Sequence, residues 1–567
     1  MVYISLLVYS RMDSNLYTES DSSEPVNPLR DVSLLSSELT TKERITIICC
    51  KPSFRLRRLK NKGAILILIW NYLFLSLPYF YFQIHEDSHG IDFYIQMVSL
   101  GLTLSVAGWI ADVRFGRYRV ISLSMWIMWA ALMLATASSV LTITTDGYTN
   151  NIHGYVNEIL WTVMVIGFGG YLSNVLQFGI DQLHDASSDE ISSFIVWYVW
   201  TYSSGGFVIS FIIECFKQYS IVASLVMCIY LSLALSSMLI FNYWLVKEPV
   251  TQNPFKLVYN VVRYAIKHKH PECRSAFTFC EDEPPSRIDF GKRKYGGPFT
   301  IEQVEDVKTF LRSFIVVFIG MALLGIVIAS VQLLKNVSDM LVNSEDRTFS
   351  MCYTKKWFIN SFSYGSVIVL PLCELIFYPT FRGFFDLVNS YCHWKHLGVF
   401  LAIAEIISLL VIEIVARHNY LLSSNYNSTI PCIGQGTLST SMDFRWMAVP
   451  QCLYSLSISV MLIRGGVFIS SQVPYSMRGL IVGTAFSLFA LYTAVGVGIS
   501  IPFGTQLSIW GTGIISCGFW YAILLLVIEV MVGILFTGIL RWYKKRKRED
   551  VLPNEHIFAE RYYDSDN

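Results

Sequence analysis

The stretch Ala107-Gly-Trp-Ile-Ala-Asp112-Val-Arg-Phe-Gly116-Arg-Tyr-Arg-Val-Ile121 decides how the chain is read. One apolar run stops at an aspartate, Arg114, Arg117 and Arg119 crowd around Gly116, and a second apolar run begins at once. Charges at the end of a hydrophobic helix are costly in lipid, so the segment reads as a tight turn between two membrane spans. A gating contact at the membrane surface explains Asp112 best; a plain cytoplasmic anchor on the basic side of the membrane is the simpler alternative.

Outward from that turn the pattern repeats. Of 567 residues, 53% are hydrophobic and 15% charged, more apolar than a soluble core requires. Apolar runs of about 20 residues fall near 64–83, 91–111, 119–140, 156–178, 191–213 and 220–246, then near 309–334, 358–380, 396–416, 445–470, 479–500 and 514–541. The expected fold is all-α, a polytopic membrane protein of twelve transmembrane helices in two six-helix bundles. Its parts are an N-terminal tail (1–62), a first bundle (63–246), a linker (247–308), a second bundle (309–541) and a basic C-terminal tail (542–567).

Loop charges orient the chain. Arg55, Arg57, Arg58, Lys60 and Lys62 precede span one, the three arginines follow span two, and 544–548 is basic, which places both termini and the linker in the cytosol. Loops 84–90, 141–155 and 501–513 hold no Lys or Arg, and the sequons at Asn336 and Asn427 fall on that same outer side as candidate glycosylation sites. Cys352 and Cys432 share those outer loops, so a disulfide between them is open. The apolar opening 1–10 is too short for a signal peptide and lacks a cleavage-like site.

In the linker, Leu257, Val258, Val261, Val262, Ala265 and Ile266 recur at helical spacing opposite Lys256, Arg263 and Lys267. Two placements fit this amphipathic helix: flat on the inner leaflet, or packed on the cytosolic ends of the bundle. Thr300 and Gln303 resemble a capping box that opens span seven.

These residues resemble the proton-coupled oligopeptide transporter (POT) family of the major facilitator superfamily. The 107–121 segment is similar to the family's first signature, departing at Arg114. Gly167-Phe-Gly-Gly-Tyr-Leu-Ser-Asn174 leading to Phe178-Gly-Ile-Asp-Gln182 resembles its glycine-rich run, and Trp197-Tyr-Val-Trp-Thr-Tyr-Ser-Ser-Gly-Gly206 its second signature, with Ser203 where that signature has Asn. Arg274-Ser-Ala-Phe, Pro285-Ser-Arg-Ile-Asp-Phe-Gly-Lys, Tyr295-Gly-Gly-Pro-Phe, Leu370-Pro-Leu-Cys-Glu-Leu-Ile-Phe-Tyr-Pro379 and Gln472-Val-Pro-Tyr-Ser-Met-Arg-Gly479 extend the likeness from linker to span ten.

The resemblance implies a solute transporter that couples protons to peptides, and the charges it would use are missing here. Span one reads AILILIWNYLFLSLPYFYF, without the family's Glu-x-x-Glu-Arg; the span-four lysine aligns with Leu172, and the span-ten glutamate with Val467. Asn71, Tyr72, Trp200 and Ser203 are left as candidate contacts for a less charged or larger solute, with helix packing as the plainer role of each. Arg464, three residues before Val467, reads either as an anion contact in the cavity, as the partner of Glu374, or as a side chain reaching toward the cytosol. Asp112 and Asp181 close spans two and four as inner-gate residues, with Arg117, Arg119 and Arg478 as available partners. Glu405, Glu413 and Glu529 lie on helices expected at the outside of the bundle, in structural or interfacial roles.

The expected function is alternating-access transport of a di- or tripeptide or another small organic solute; the alternative is a transporter-derived receptor or scaffold that moves nothing. The bilayer and a small solute are the expected partners, and a proton is left open. No nucleophile, base and orienting group occur together, so an enzyme is not expected. Cysteine spacing gives no metal site, no cofactor is implied, and clustered rather than surface-wide charge gives no support for nucleic-acid binding. An acidic dileucine-like Asp31-Val-Ser-Leu-Leu35 leaves plasma membrane and endolysosome both open, and Cys49 and Cys50 are candidate palmitoylation sites.

Overall fold

A computed structural model of the chain describes residues 61–74, 91–144, 150–183, 186, 188–215, 220–247, 253–268, 286–341, 365–377, 396–423, 444–504 and 517–543. These residues are almost wholly helical. Six helices form the first half: α1 (Lys62–Phe74), α2 (Ile91–Ile110), α3 (Arg117–Thr144), α4 (Asn150–Asp181), α5 (Ser188–Cys215) and α6 (Ser220–Ile240). The linker carries α7 (Pro254–Lys267). The second half holds α8 (Ile301–Leu341), α9 (Ser366–Leu372), α10 (Leu397–Ser423), α11 (Ala448–Gln472), α12 (Arg478–Gly504) and α13 (Cys517–Trp542). Every expected span meets one of these helices, and among the described residues 8 are long and apolar enough to cross a membrane. Asn427, Cys352, Cys432, Cys49, Cys50 and the dileucine-like segment lie outside the described residues. Asn336 stands inside α8, which runs past the expected end of its span to Leu341.

Each half has a core of its own, the first also taking in Leu370 of α9. In the first, Trp70, Phe74, Met125, Tyr171, Phe194 and Leu231 pack from α1, α3, α4, α5 and α6. Polar pins fix its helices: Trp70 Nε1 donates to Ser237 Oγ (2.8 Å) and Trp129 Nε1 to Ser232 Oγ (2.9 Å). Gln182, just past α4, exchanges hydrogen bonds with the Val246 backbone at 2.9 and 2.8 Å and accepts from Asn61 at the foot of α1. In the second half, Leu333, Ile406, Leu409, Tyr521 and Leu525 unite α8, α10 and α13.

The linker helix packs on the bundle, the second of its two expected placements. Asn253 caps it by accepting from the Lys256 amide, Pro254 opens it, and Val261 and Ala265 are buried. Val261, with Leu257 and Val258, joins Val304, Val307 and Phe310 of α8 and Ile469 and Met477 beside α11. Phe255, Tyr259 and Ile266 stay exposed on the other face. The capping box forms as read: the Gln303 amide donates to Thr300 Oγ1 (3.2 Å) and the Thr300 amide to Gln303 Oε1 (3.1 Å). Beside it Lys292 and Lys308 grip Asp289 and Glu305. Burial alone would push both carboxyls up; the hydrogen bonds and charges of the two lysines outweigh it and hold both below their usual range.

Candidate functional site

Where the apolar run of α2 stops, the backbone widens into a π turn, Ala111–Phe115, that ends at Gly116 with φ 79°. A side chain is strained there, so glycine lets the chain reverse within one residue and start α3 at Arg117. Arg117 thereby faces two carboxylates. Its Nε donates to Asp112 Oδ1 (3.0 Å), Nη2 lies 2.9 Å from the same oxygen, and Nη1 donates to Asp181 Oδ2 at the end of α4. Gln177 Nε2 donates to the other Asp181 oxygen (2.8 Å). Asp112, Arg117 and Asp181 are 4%, 8% and 6% exposed, so these charges are tolerated because the guanidinium fork and added donors satisfy them.

This node reaches into the second half. Asp112 Oδ2 accepts the amide of Leu480 (3.1 Å) in the first turn of α12, where helical amides lack an intrahelical partner and the helix dipole favours negative charge. Gly479 lies so close to the Asp112 carboxylate that an added Cβ would overlap it. Arg117 and Arg478 each lie 5.6 Å from the Tyr475 ring, and Arg478 Nε donates to the Val473 carbonyl (3.2 Å). Of the three expected arginine partners, Arg117 makes the ion pairs, Arg478 holds the loop before α12, and Arg119 is exposed. Farther along, Ser487 Oγ donates to the Gly101 carbonyl (2.7 Å), joining α12 to α2 again.

A second contact between halves is a chain of hydroxyls. Ser455 Oγ of α11 donates to Ser366 Oγ of α9 (2.9 Å), which donates to Ser203 Oγ of α5 (2.9 Å); the Ser366 amide donates back to Ser455 Oγ (3.1 Å). Trp200 Nε1 donates to the Val367 carbonyl (3.0 Å). Ser203 and Trp200 thus meet the second half directly. Pro371 interrupts α9, and the chain continues as a π turn, Cys373–Phe377, that carries Glu374.

The other expected contacts divide. Asn71 is fully buried within the first half, donating to the Tyr198 carbonyl (2.9 Å) and Thr201 Oγ1 (2.6 Å), so its amide ties α1 to α5. Tyr72 is half-buried beside Gly205. Arg464 is exposed, while Val467 on nearly the same face packs against the first-half core. Among the described residues no ion pair links Arg464 to Glu374, whose Oε1 is buried without a hydrogen-bond partner there. Glu405, Glu413 and Glu529 are buried, their helices turning all three side chains inward. Ser366 and Ser455 were invisible as site residues in the sequence, since serines in membrane helices most often bond their own backbone. Among the described residues no three His, Cys, Asp or Glu side chains gather as a metal site.

No family model matches the chain. Solute carrier family 15 member 3 of Rattus norvegicus is 24% identical over 508 residues, spanning 79% of this chain and 84% of that protein. An auto-inhibited POT family peptide transporter superposes with a TM-score of 0.58 at 16% identity, over 87% of this chain and 99% of the other. The POT family transporter PepTSo gives 0.56 at 14% identity, over 86% and 99%. These solved structures share the all-helical transporter fold. The motif series from span two to span ten and the length of the alignment agree: the chain is similar to a solute carrier of family 15 along most of both sequences and shares the fold of the POT family transporters.

Proposed function

We propose that the chain moves a peptide-like or other small organic solute by alternating access, as two six-helix halves (63–246 and 309–541) joined by a cytosolic linker (247–308), with cytosolic tails 1–62 and 542–567. The Arg117 node carries this reading. It buries three charges and a helix amide at one end of the interface between halves, with Asp112, Arg117 and Asp181 from one half and Leu480 from the other. A contact of that kind is stable when closed and can be rehydrated when the halves part, which a two-state gate requires. The relatives supply the solute class, since the solved structures are peptide transporters. Positive-inside counting puts the node on the cytosolic side, in a plasma or endolysosomal membrane, with Asn336 and Asn427 toward the glycosylating side.

Proton coupling through the cavity is not part of this proposal, because span one carries no charge and Leu172 and Val467 replace ionisable side chains. Arg464 is the cation left to meet a carboxylate on the solute, with Glu374, Tyr72, Trp200 and Ser203 around the path. The same missing charges favour the second reading, a receptor or scaffold that keeps the fold without flux. Uptake of a labelled dipeptide panel into proteoliposomes, with and without an inward proton gradient, separates them. Gradient-independent uptake that Arg464→Ala abolishes is expected. Gradient-driven uptake would overturn the loss of coupling, and absence of flux from folded protein would favour the receptor.

A further inference from the structure

Glu405 of α10 and Glu529 of α13 are each 0% exposed, deep in the second-half core and away from the contacts between halves. Glu529 is close enough to act electrostatically on Glu405. Neither is in an ion pair among the described residues, and both oxygens of Glu529 and Oε2 of Glu405 lack a hydrogen-bond partner. The sequence supplies little to pair them with: 313–334, 397–416, 479–504 and 517–540 contain no Lys, Arg or His, and Arg464 is the single cation of 448–472. The titratable groups on the packed helices include Glu413, two turns along α10, with Arg417, His418 and Tyr420 beyond it, His396 at the start of α10 near Thr537, Arg312 and Lys335 on either side of the apolar run of α8, Cys452, Tyr454 and Arg464 on α11, Tyr492 on α12, and Tyr521 on α13, whose hydroxyl donates to the Ala329 carbonyl.

An independent observation comes from α8. Ser330 Oγ lies 2.6 Å from Glu405 Oε1 and 2.7 Å from the Val327 carbonyl. A hydroxyl has one hydrogen, and both distances are those of O–H···O bonds. The carbonyl cannot donate. If Ser330 donates to Val327, the short contact to Glu405 needs a hydrogen on the carboxyl itself, and a carboxylic acid is also what a buried acid beside a second acid requires, since two unpaired charges in a dry core are far too costly.

We propose that Glu405, Glu529 and Ser330 form a proton-binding site in the second half, with the Glu405 carboxylic O–H donating to Ser330 Oγ and the Ser330 O–H passing on to the Val327 carbonyl. The ligand is a proton, and the site is separate from the cavity positions where the family's coupling charges are missing. Release of the proton leaves a carboxylate without a cation between α8, α10 and α13, which favours water entering or the helices separating there. Such a site holds its proton whether or not solute moves, so its test and the flux assay fail independently.

Infrared difference spectra of the full-length protein in nanodiscs at neutral pH test it. A protonated-carboxyl carbonyl band is expected in the wild type, weaker in Glu405→Gln and weaker again with Glu529→Gln added. Ser330→Ala is expected to keep the band and shift it to higher frequency, because the acid loses its acceptor. A spectrum in which the double variant loses only carboxylate absorption would overturn the site. If the glutamine variants do not fold, Ser330→Ala alone decides, and an unmoved band overturns it.

Discussion

The two halves bury acidic side chains in opposite ways. At the foot of the first half Asp112 and Asp181 are satisfied by the shared Arg117 guanidinium, the Gln177 side-chain amide and, across the interface, the Leu480 backbone amide. In the core of the second half Glu405 and Glu529 have a single hydroxyl between them. The first arrangement is sensitive to the position of the halves, because parting them removes the Leu480 amide. The second is insensitive to that motion and sensitive to protons.

Removing the cation should produce the largest effect. Arg117→Ala leaves two buried carboxylates facing each other, and a loss of about 3–5 kcal/mol is expected for breaking a buried pair this way, read as a fall in the thermal unfolding midpoint. Arg117→Lys should recover only part of it, since an ammonium cannot fork between two carboxylates. If Arg117→Ala unfolds like the wild type, the node is not a structural contact.

Gly479→Ala comes next. Its methyl meets the Asp112 carboxylate, and overpacking typically costs about 1–3 kcal/mol; because the clash lies between halves, the cost should appear as greater labelling of cysteines introduced beside Tyr475. Ser366→Ala removes the centre of the hydroxyl chain and should cost about 1 kcal/mol, without changing labelling at the Arg117 end. Equal labelling changes in both variants would mean that the two contacts are not separate.

The smallest effect concerns the linker and sharpens the contrast between paired and unpaired acids. Asp289 and Glu305 are held below their ordinary values, so their stabilisation is fully present above the ordinary carboxylate range and is lost as pH falls through the lowered values. Lys292 is held above its ordinary value, so its share persists below that value and is lost only as pH rises through the raised one. Hydrogen exchange over 286–310, divided by the intrinsic amide rate at each pH, should be flat across neutral pH and rise in acid, with Asp289→Asn removing much of the acid step. An exchange rise centred at neutral pH would contradict the ion network.

Much of this was legible in the sequence and the rest was hidden for geometric reasons. Each apolar run met a described helix, 8 of them long and apolar enough to cross a membrane, and the charges at 112, 117, 119 and 181 announced a contact. Which arginine closes it was not readable, because Arg117 and Arg119 point to different sides of α3 and only the neighbouring helix end decides. That Glu405 and Glu529 turn into the core was not readable, because an all-apolar helix has no polar face to reveal which way a lone acid turns: around it α10 and α13 have near-uniform hydrophobicity. The hydroxyl chain was hidden because three serines on three helices share no spacing.

Asp112 grips α12 through a main-chain amide, and main-chain groups do not depend on which side chain they carry. Any apolar residue that fills the buried place of Leu480 can therefore keep the grip, provided it is not proline, which has no amide hydrogen to offer. Its neighbour at 479 has no such latitude. A contact between halves fixes one letter of the sequence and asks of the next only an apolar residue, so apolar variation at 480 beside an unvarying glycine at 479 would be the mark of this contact in any relative that keeps it.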